Sequence, residues 1–296
     1  MQGLKVFFWA MRPLTFARNL ILLVPLIFSG SLFSGIPFLK WLASFTIFCA
    51  LLGCVNMINQ LRKVWKDKWF SAGHIKMNTK DQISTSRAEF IGAVIIIVAI
   101  VWAYLISTKF GSLALSYFLL HLAYYLYLQR IKIFNFLVMP LAYTMAVIGS
   151  GYIIWYYVSP LLLCAVFTFL VLVSLGQYKT TNHHEAVPYR QEFLDQMLNL
   201  LSVSGIIFYA LYTFFSGQVT FQFQTPLLIL TIPFAIGAVS RYFYLLYTPR
   251  GNARLPEGQT VGGQAGYETK YWSDLPLIWT LLGWGALAIL IIYARL

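Results

Sequence analysis

The chain has 296 residues, 59% hydrophobic, 18% aromatic and only 10% charged, with a mean hydropathy of +0.72 and a formal net charge of +12. Ordinary soluble domains carry about 25% charged residues, so a water-facing surface built from this composition would be dominated by apolar patch, which excludes a typical soluble globule. The positive charge needs no nucleic acid to explain it, because a membrane protein that gathers its Lys and Arg on one side acquires the same excess.

In chain order, the opening MQGLKVFFWAMRP is too short and too interrupted for a signal peptide. It reads as an interfacial amphipathic segment, with Phe7, Phe8 and Trp9 at headgroup depth. Nine apolar stretches follow, at residues 16–35, 38–61, 88–108, 111–128, 133–157, 159–176, 194–215, 225–247 and 274–293. Each is roughly long enough to cross about 30 Å of hydrocarbon. They lack strand-like alternation, so the expected fold is an all-α integral membrane protein with nine transmembrane helices in a single domain over 1–296. Cys49, Cys54 and Cys164 lie inside these stretches without metal-ligand spacing and read as small packing residues.

If the N-terminus is cytoplasmic and the nine stretches alternate, eighteen of the 21 Lys and Arg residues fall on the inner side. Only Lys40, Lys109 and Arg295 fall outside, and all nine acidic residues fall inside. This bias predicts an N-inside, C-outside topology. Any polar site is then expected on the cytoplasmic side, where the loops 62–87, 177–193 and 248–273 are long enough to matter.

The first of these loops continues from the second stretch as NQLRKVWKDKWFSAGHIKMNTKDQIS. At helical spacing Asn59, Lys63 and Asp67 stack one turn apart, with Gln60 beside them. A polar stripe pointing at a basic loop suits a phosphate or headgroup; its plainer reading is a basic juxtamembrane cap that only sets topology. In the second loop, the adjacent His183, His184 and Glu185 cannot converge on one metal ion without a distorted backbone, so a solvated loop is expected. In the third, GQTVGGQAG lacks the ending and the context of a P-loop and reads as a connector. Arg241 and Tyr242 near the inner end of the eighth stretch, and Arg12, Arg18 and Asn19 at the start of the first, are candidates for contacting a buried anion, the alternative being snorkelling to headgroups. Lys76, Arg130 and Lys179 are further candidates on the same face. His121, amid Tyr124, Tyr125 and Tyr127, is expected to hydrogen-bond a neighbouring helix.

The segment MRPLTFARNLILLVPLIFSG resembles the start of UbiA-superfamily membrane prenyltransferases, most closely the decaprenyl-phosphate phosphoribosyltransferase branch. CVNMINQ, AYYLYLQRIKIFN, YRQEFLDQMLNLLSVSGIIFYALYTF and LTIPFAIGAVSRYFYLLY extend the resemblance in order over most of the chain. The resemblance implies a bundle of nine transmembrane helices in a bacterial inner membrane. It also implies Asp-rich cytoplasmic motifs whose Mg²⁺ neutralises a departing diphosphate. Where the family's first motif reads Asn-Asp-x-x-Asp-x-x-x-Asp, this chain has Asn59, Gln60, Lys63 and Asp67, and near the second motif it has Gln129 and Asn135.

These departures predict a catalytically degenerate member that needs no metal, with Lys63 pairing directly to phosphate. It would bind a membrane lipid or polyprenyl phosphate, alone or with other membrane subunits, and no nucleic acid. The alternative is an active transferase, moving a phosphoribosyl or prenyl group from a diphosphate donor to a membrane acceptor with Mg²⁺. A transporter is a third reading, disfavoured by the lack of a visible inverted repeat.

Overall fold

The computed structural model describes residues 13–70, 85–128, 131, 134–181, 191–219, 226–248 and 274–293. Among these residues the chain is helical and without strands. A narrow 3₁₀ stretch, Pro13–Leu22, leads into α1 (Leu23–Phe28). There follow α2 (Gly35–Phe70), α3 (Thr85–Ile106), α4 (Thr108–Leu126), α5 (Phe134–Ile153), α6 (Pro160–Thr181) and α7 (Gln191–Val219). A second 3₁₀ turn, Pro226–Thr231, enters α8 (Ile232–Tyr247), and α9 (Leu275–Tyr293) completes the described chain.

Each expected apolar stretch overlaps one of these helical segments. Among the described residues, six segments are long and apolar enough to cross a membrane: Gly35–Asn59, Phe136–Ile153, Pro160–Thr180, Gln191–Phe215, Leu227–Tyr247 and Leu275–Tyr293. Arg18–Phe28 and Phe90–Ile106 are shorter apolar helices. This is the build of a multi-pass helical membrane protein.

The chain divides into two compact units. The first comprises residues 1–134 and 141–157, the second 135–140 and 158–296, with the change inside α5 at Pro140. In the first unit, the entry segment departs from the regular α-helix expected over 16–35. Pro25, in the first turn of α1, has no N–H to offer the Ile21 carbonyl four residues earlier. At the same join the Leu22 carbonyl accepts two side chains from elsewhere in the unit, Trp41 Nε1 at 2.9 Å and Ser150 Oγ at 3.3 Å. The segment ends at Gly30, whose φ of 69° is a left-handed conformation that glycine adopts without steric cost. Phe48, fully buried on α2, sets its ring edge-on to Phe110 and Tyr117 of α4 at 5.7 and 4.9 Å.

α5 stops in a different way. Tyr156 N–H donates to the Gly151 carbonyl and Trp155 N–H to that of Tyr152, the paired bonds of a Schellman stop. The left-handed position of that motif usually belongs to glycine, yet here it is Trp155, at φ 61°. For a residue with a Cβ this conformation costs roughly 1–2 kcal/mol.

The second unit is built on α6 and α7, which pack along most of their length. Leu172 and Leu175 of α6 meet Leu194 and Leu198 of α7, and Tyr242 of α8 closes the cluster. In a bilayer such helices gain by close van der Waals contact rather than by leaving water, which favours small residues at the seam. Further along, Trp284 Nε1 donates to Tyr209 Oη at 2.9 Å, Tyr209 to Thr231 Oγ1 at 2.6 Å, and Thr231 to the Leu228 carbonyl at 2.6 Å. This chain of donors ties α7 and α9 to the turn before α8.

Gly205 on α7 marks the tightest part of the α6–α7 seam: a Cβ there would lie 2.9 Å from the Phe169 ring and 3.1 Å from Thr168 Oγ1. Gly205→Val is therefore expected to destabilise the protein by about 1–3 kcal/mol through overpacking. Gly285→Ala, whose Cβ meets nothing within 4 Å, serves as the tolerated control. Thermal unfolding of the two variants in detergent measures the difference.

Candidate functional site

The first unit holds a file of polar groups in its interior. Asn19, fully buried, donates from Nδ2 to Cys49 Sγ at 3.3 Å and accepts the Tyr117 hydroxyl on Oδ1 at 3.2 Å. Tyr117 also stacks against His121, with centroids 4.3 Å apart, and the Tyr143 ring stands edge-on to His121 at 5.3 Å. His121 departs from its expected role. Its Nδ1 lies 3.0 Å from the carbonyl of Tyr117, one turn back on its own helix, rather than reaching a neighbouring one. A carbonyl only accepts, so the proton sits on Nδ1 and Nε2 keeps its lone pair. That Nε2 is buried with no hydrogen-bond partner among the described residues. Arg18, one position before Asn19 in the entry segment, is half-buried.

A second group lies along α2. Asn56 donates to Thr15 Oγ1 at 2.9 Å and accepts the Tyr125 hydroxyl at 3.3 Å, so three helical segments meet at one amide. α2 runs on unbroken to Phe70. Its register therefore carries Asn56, Asn59, Lys63 and Asp67 within an arc of roughly 80° of one helix face. The backbone places these positions; the side chains of Gln60, Lys63 and Asp67 lie outside the described residues. Arg12, Lys76, Arg130, the second-motif position Gln129, and the His183, His184 and Glu185 run also lie outside them.

The donor set on this α2 face does not fit Mg²⁺. Hard cations bind through several oxygens, carboxylates above all, whereas this face offers amides, an ammonium and one carboxylate. Among the described residues, no group of three or more His, Cys, Asp or Glu gathers into a metal-holding arrangement.

The second unit commits its candidate cations to internal partners. Lys179, buried at the end of α6, pairs with Asp195 in the first turns of α7. Tyr247 of α8 donates its hydroxyl to the same carboxylate, and the Lys179 ammonium lies 4.3 Å from the Tyr247 ring centroid. Arg241 clasps Asp274 with two parallel bonds, Nε to Oδ1 at 3.0 Å and Nη2 to Oδ2 at 2.8 Å. Its guanidinium also lies 4.6 Å from the Tyr244 ring. Asp274 caps α9 as well, accepting the Leu277 N–H at 2.8 Å. Tyr242 is buried, with its hydroxyl turned to the Leu172 and Val173 carbonyls at 3.4 and 3.5 Å. Thus Lys179, Arg241 and Tyr242, expected at an anion, are engaged in holding helix ends and backbone.

Compared with models of known protein families the chain matches none, and no curated protein matches it. Asn56 and Thr15 were not singled out by spacing, although Asn56 sits three residues before Asn59 in CVNMINQ, a same-face interval that could have flagged it. Nothing local in the sequence marks Tyr117 or Cys49 as partners of Asn19, since 98 and 30 residues separate them.

The Arg241 guanidinium, with help from the Leu277 N–H, holds the Asp274 carboxyl below the usual carboxylate range. A depressed folded-state pKa stabilises the fold fully above the unfolded value of about 3.9, and the contribution is lost as pH falls through the folded value. Asp274→Asn should therefore unfold at lower temperature than the parent at neutral pH, and the gap should close only at pH values below about 4. Thermal unfolding of both proteins across that range checks it.

Proposed function

We propose that this chain is a UbiA-like membrane protein that binds a lipid phosphate, such as a polyprenyl phosphate, without performing transfer, alone or as a subunit of a larger membrane assembly in a bacterial inner membrane. The observation that carries the reading is the unbroken α2 helix, which puts Lys63 on the same face as the buried, internally anchored Asn56. Amide and ammonium groups at one helix face favour an anion already present. Departure of a diphosphate would instead require the growing charge to be neutralised by a metal clamp. The Lys63 ammonium can hold a phosphate by a charge-assisted hydrogen bond without a metal.

The reading also has nine membrane crossings, with the N-terminus cytoplasmic and the C-terminus outside. Its support is the placement of all but Lys40, Lys109 and Arg295 on one side when the stretches alternate. Single cysteines introduced at Lys76 and at Lys109 in a cysteine-free background should label from opposite sides of sealed vesicles, Lys76 from the cytoplasmic side. Labelling of both from one side would refute the alternation.

Binding and turnover are tested together on the purified protein. Native mass spectrometry should detect retained polyprenyl phosphate, and Lys63→Ala should weaken its binding about tenfold or more, as expected for loss of a hydrogen bond to a charged group. Incubation with Mg²⁺, phosphoribosyl pyrophosphate and polyprenyl phosphate should yield no transfer product. Robust Mg²⁺-dependent transfer would overturn the non-catalytic reading in favour of an active transferase.

A further inference from the structure

The conformation of Trp155 has no return inside the protein. The residue occupies a left-handed position that a glycine would fill without strain, at φ 61°, and its side chain is 84% exposed. An indole so placed packs against almost nothing, so the strain is not offset by burial within the chain. Its surroundings point outward too. Tyr157 is 73% exposed and Phe33, in the turn before α2, is 76% exposed.

Two lysines complete this end of the first unit. Lys40 Nζ lies 5.8 Å from the Trp155 ring centroid, and Lys109 Nζ lies 5.6 Å from that of Tyr152, three residues before Trp155. The start of α2, the start of α4 and the end of α5 are thereby brought to one place. The segments 29–46, 102–116 and 146–159 contain no Asp or Glu, so Lys40 and Lys109 carry the only side-chain charges there. Among the described residues neither lysine is paired with a carboxylate.

We propose that this end of the first unit is a headgroup site for anionic phospholipid. Trp155 and Tyr152 sit at the level where amphipathic rings partition between hydrocarbon and water, and Lys40 and Lys109 hold the lipid phosphate. The rings neighbour the ammonium groups through cation–π contact, which keeps both charges over the aromatic platform. Charge complementarity selects the occupant: two cations with no internal anion attract an anionic headgroup over a zwitterionic one. The site rests on the membrane reading above and is separate from the α2 face proposed for lipid phosphate.

The test uses the full-length protein reconstituted into bilayers of mixed phosphatidylcholine and phosphatidylglycerol, with co-purifying lipid counted by native mass spectrometry. The parent protein should enrich phosphatidylglycerol, and Lys40→Ala and Lys109→Ala should each lower the enrichment about fivefold. Trp155→Gly should unfold at the same or a higher temperature in detergent, because it relieves the left-handed strain, and should lower the enrichment about two- to fivefold.

Unchanged enrichment in a folded Lys40→Ala/Lys109→Ala double variant overturns the site. A clear fall in unfolding temperature on Trp155→Gly does so too, by showing that the indole serves the fold. Photo-crosslinking from position 155 that captures a protein rather than lipid would reassign the surface to a subunit contact. Failure of the parent chain to enter the bilayer would overturn the membrane reading itself, whereas normal entry without lipid preference overturns only the headgroup site.

Discussion

An apolar solvent leaves a buried polar group no partner except another part of the protein, and both units are organised by that constraint. Backbone groups meet it by forming helices. Side chains and interrupted backbone meet it by finding one another across helices, and those encounters set which helices adjoin. The Leu22 carbonyl, at the join between the 3₁₀ stretch and α1, accepts from both Trp41 and Ser150. Asn19 joins Cys49 and Tyr117, and Asn56 joins Thr15 and Tyr125. In the second unit the relay from Trp284 through Tyr209 and Thr231 to the Leu228 carbonyl does the same for α7, α9 and the turn before α8.

The same constraint governs the charges. Lys179 with Asp195, and Arg241 with Asp274, are pairs in which removing one partner strands the other in a partly desolvated setting. Each also has an aromatic ring against its cation, Tyr247 for Lys179 and Tyr244 for Arg241. Asp274 links the pairing to secondary structure by capping α9. The two pairs therefore act as fasteners of helix ends. His121 is the exception inside the first unit: one ring nitrogen is satisfied by its own helix, and the other is buried with no partner among the described residues.

Much of the architecture was legible in the sequence because hydropathy and charge are local properties. A run of apolar residues long enough to cross hydrocarbon must pair its own backbone, so the positions of the helices could be read from composition alone, and each expected stretch overlaps a helical segment. The helical spacing of Asn59, Lys63 and Asp67 was legible, but α2 runs on to Phe70, into the segment from residue 62 that the sequence reads as a loop. Less legible was the entry segment: Pro25 announces an interruption, but the donors that stabilise it lie 19 and 128 residues from Leu22. Legible least of all were the partners of the candidate cations. Arg241 and Lys179 look free when only their neighbours in the chain are considered, and Asp274 lies 33 residues from Arg241.

By itself the sequence determined that this is a helical protein suited to a membrane and where its helices fall. Those conclusions need only periodicity, length and residue identity. The tertiary structure decided which polar groups are spent on holding the fold, because pairing depends on distances between helices that no local pattern encodes. It also decided that Trp155 stands in a conformation suited to glycine, with its ring exposed beside Lys40. A backbone dihedral at a helix end depends on how the chain turns into the next element, and the letters around Trp155 do not announce it.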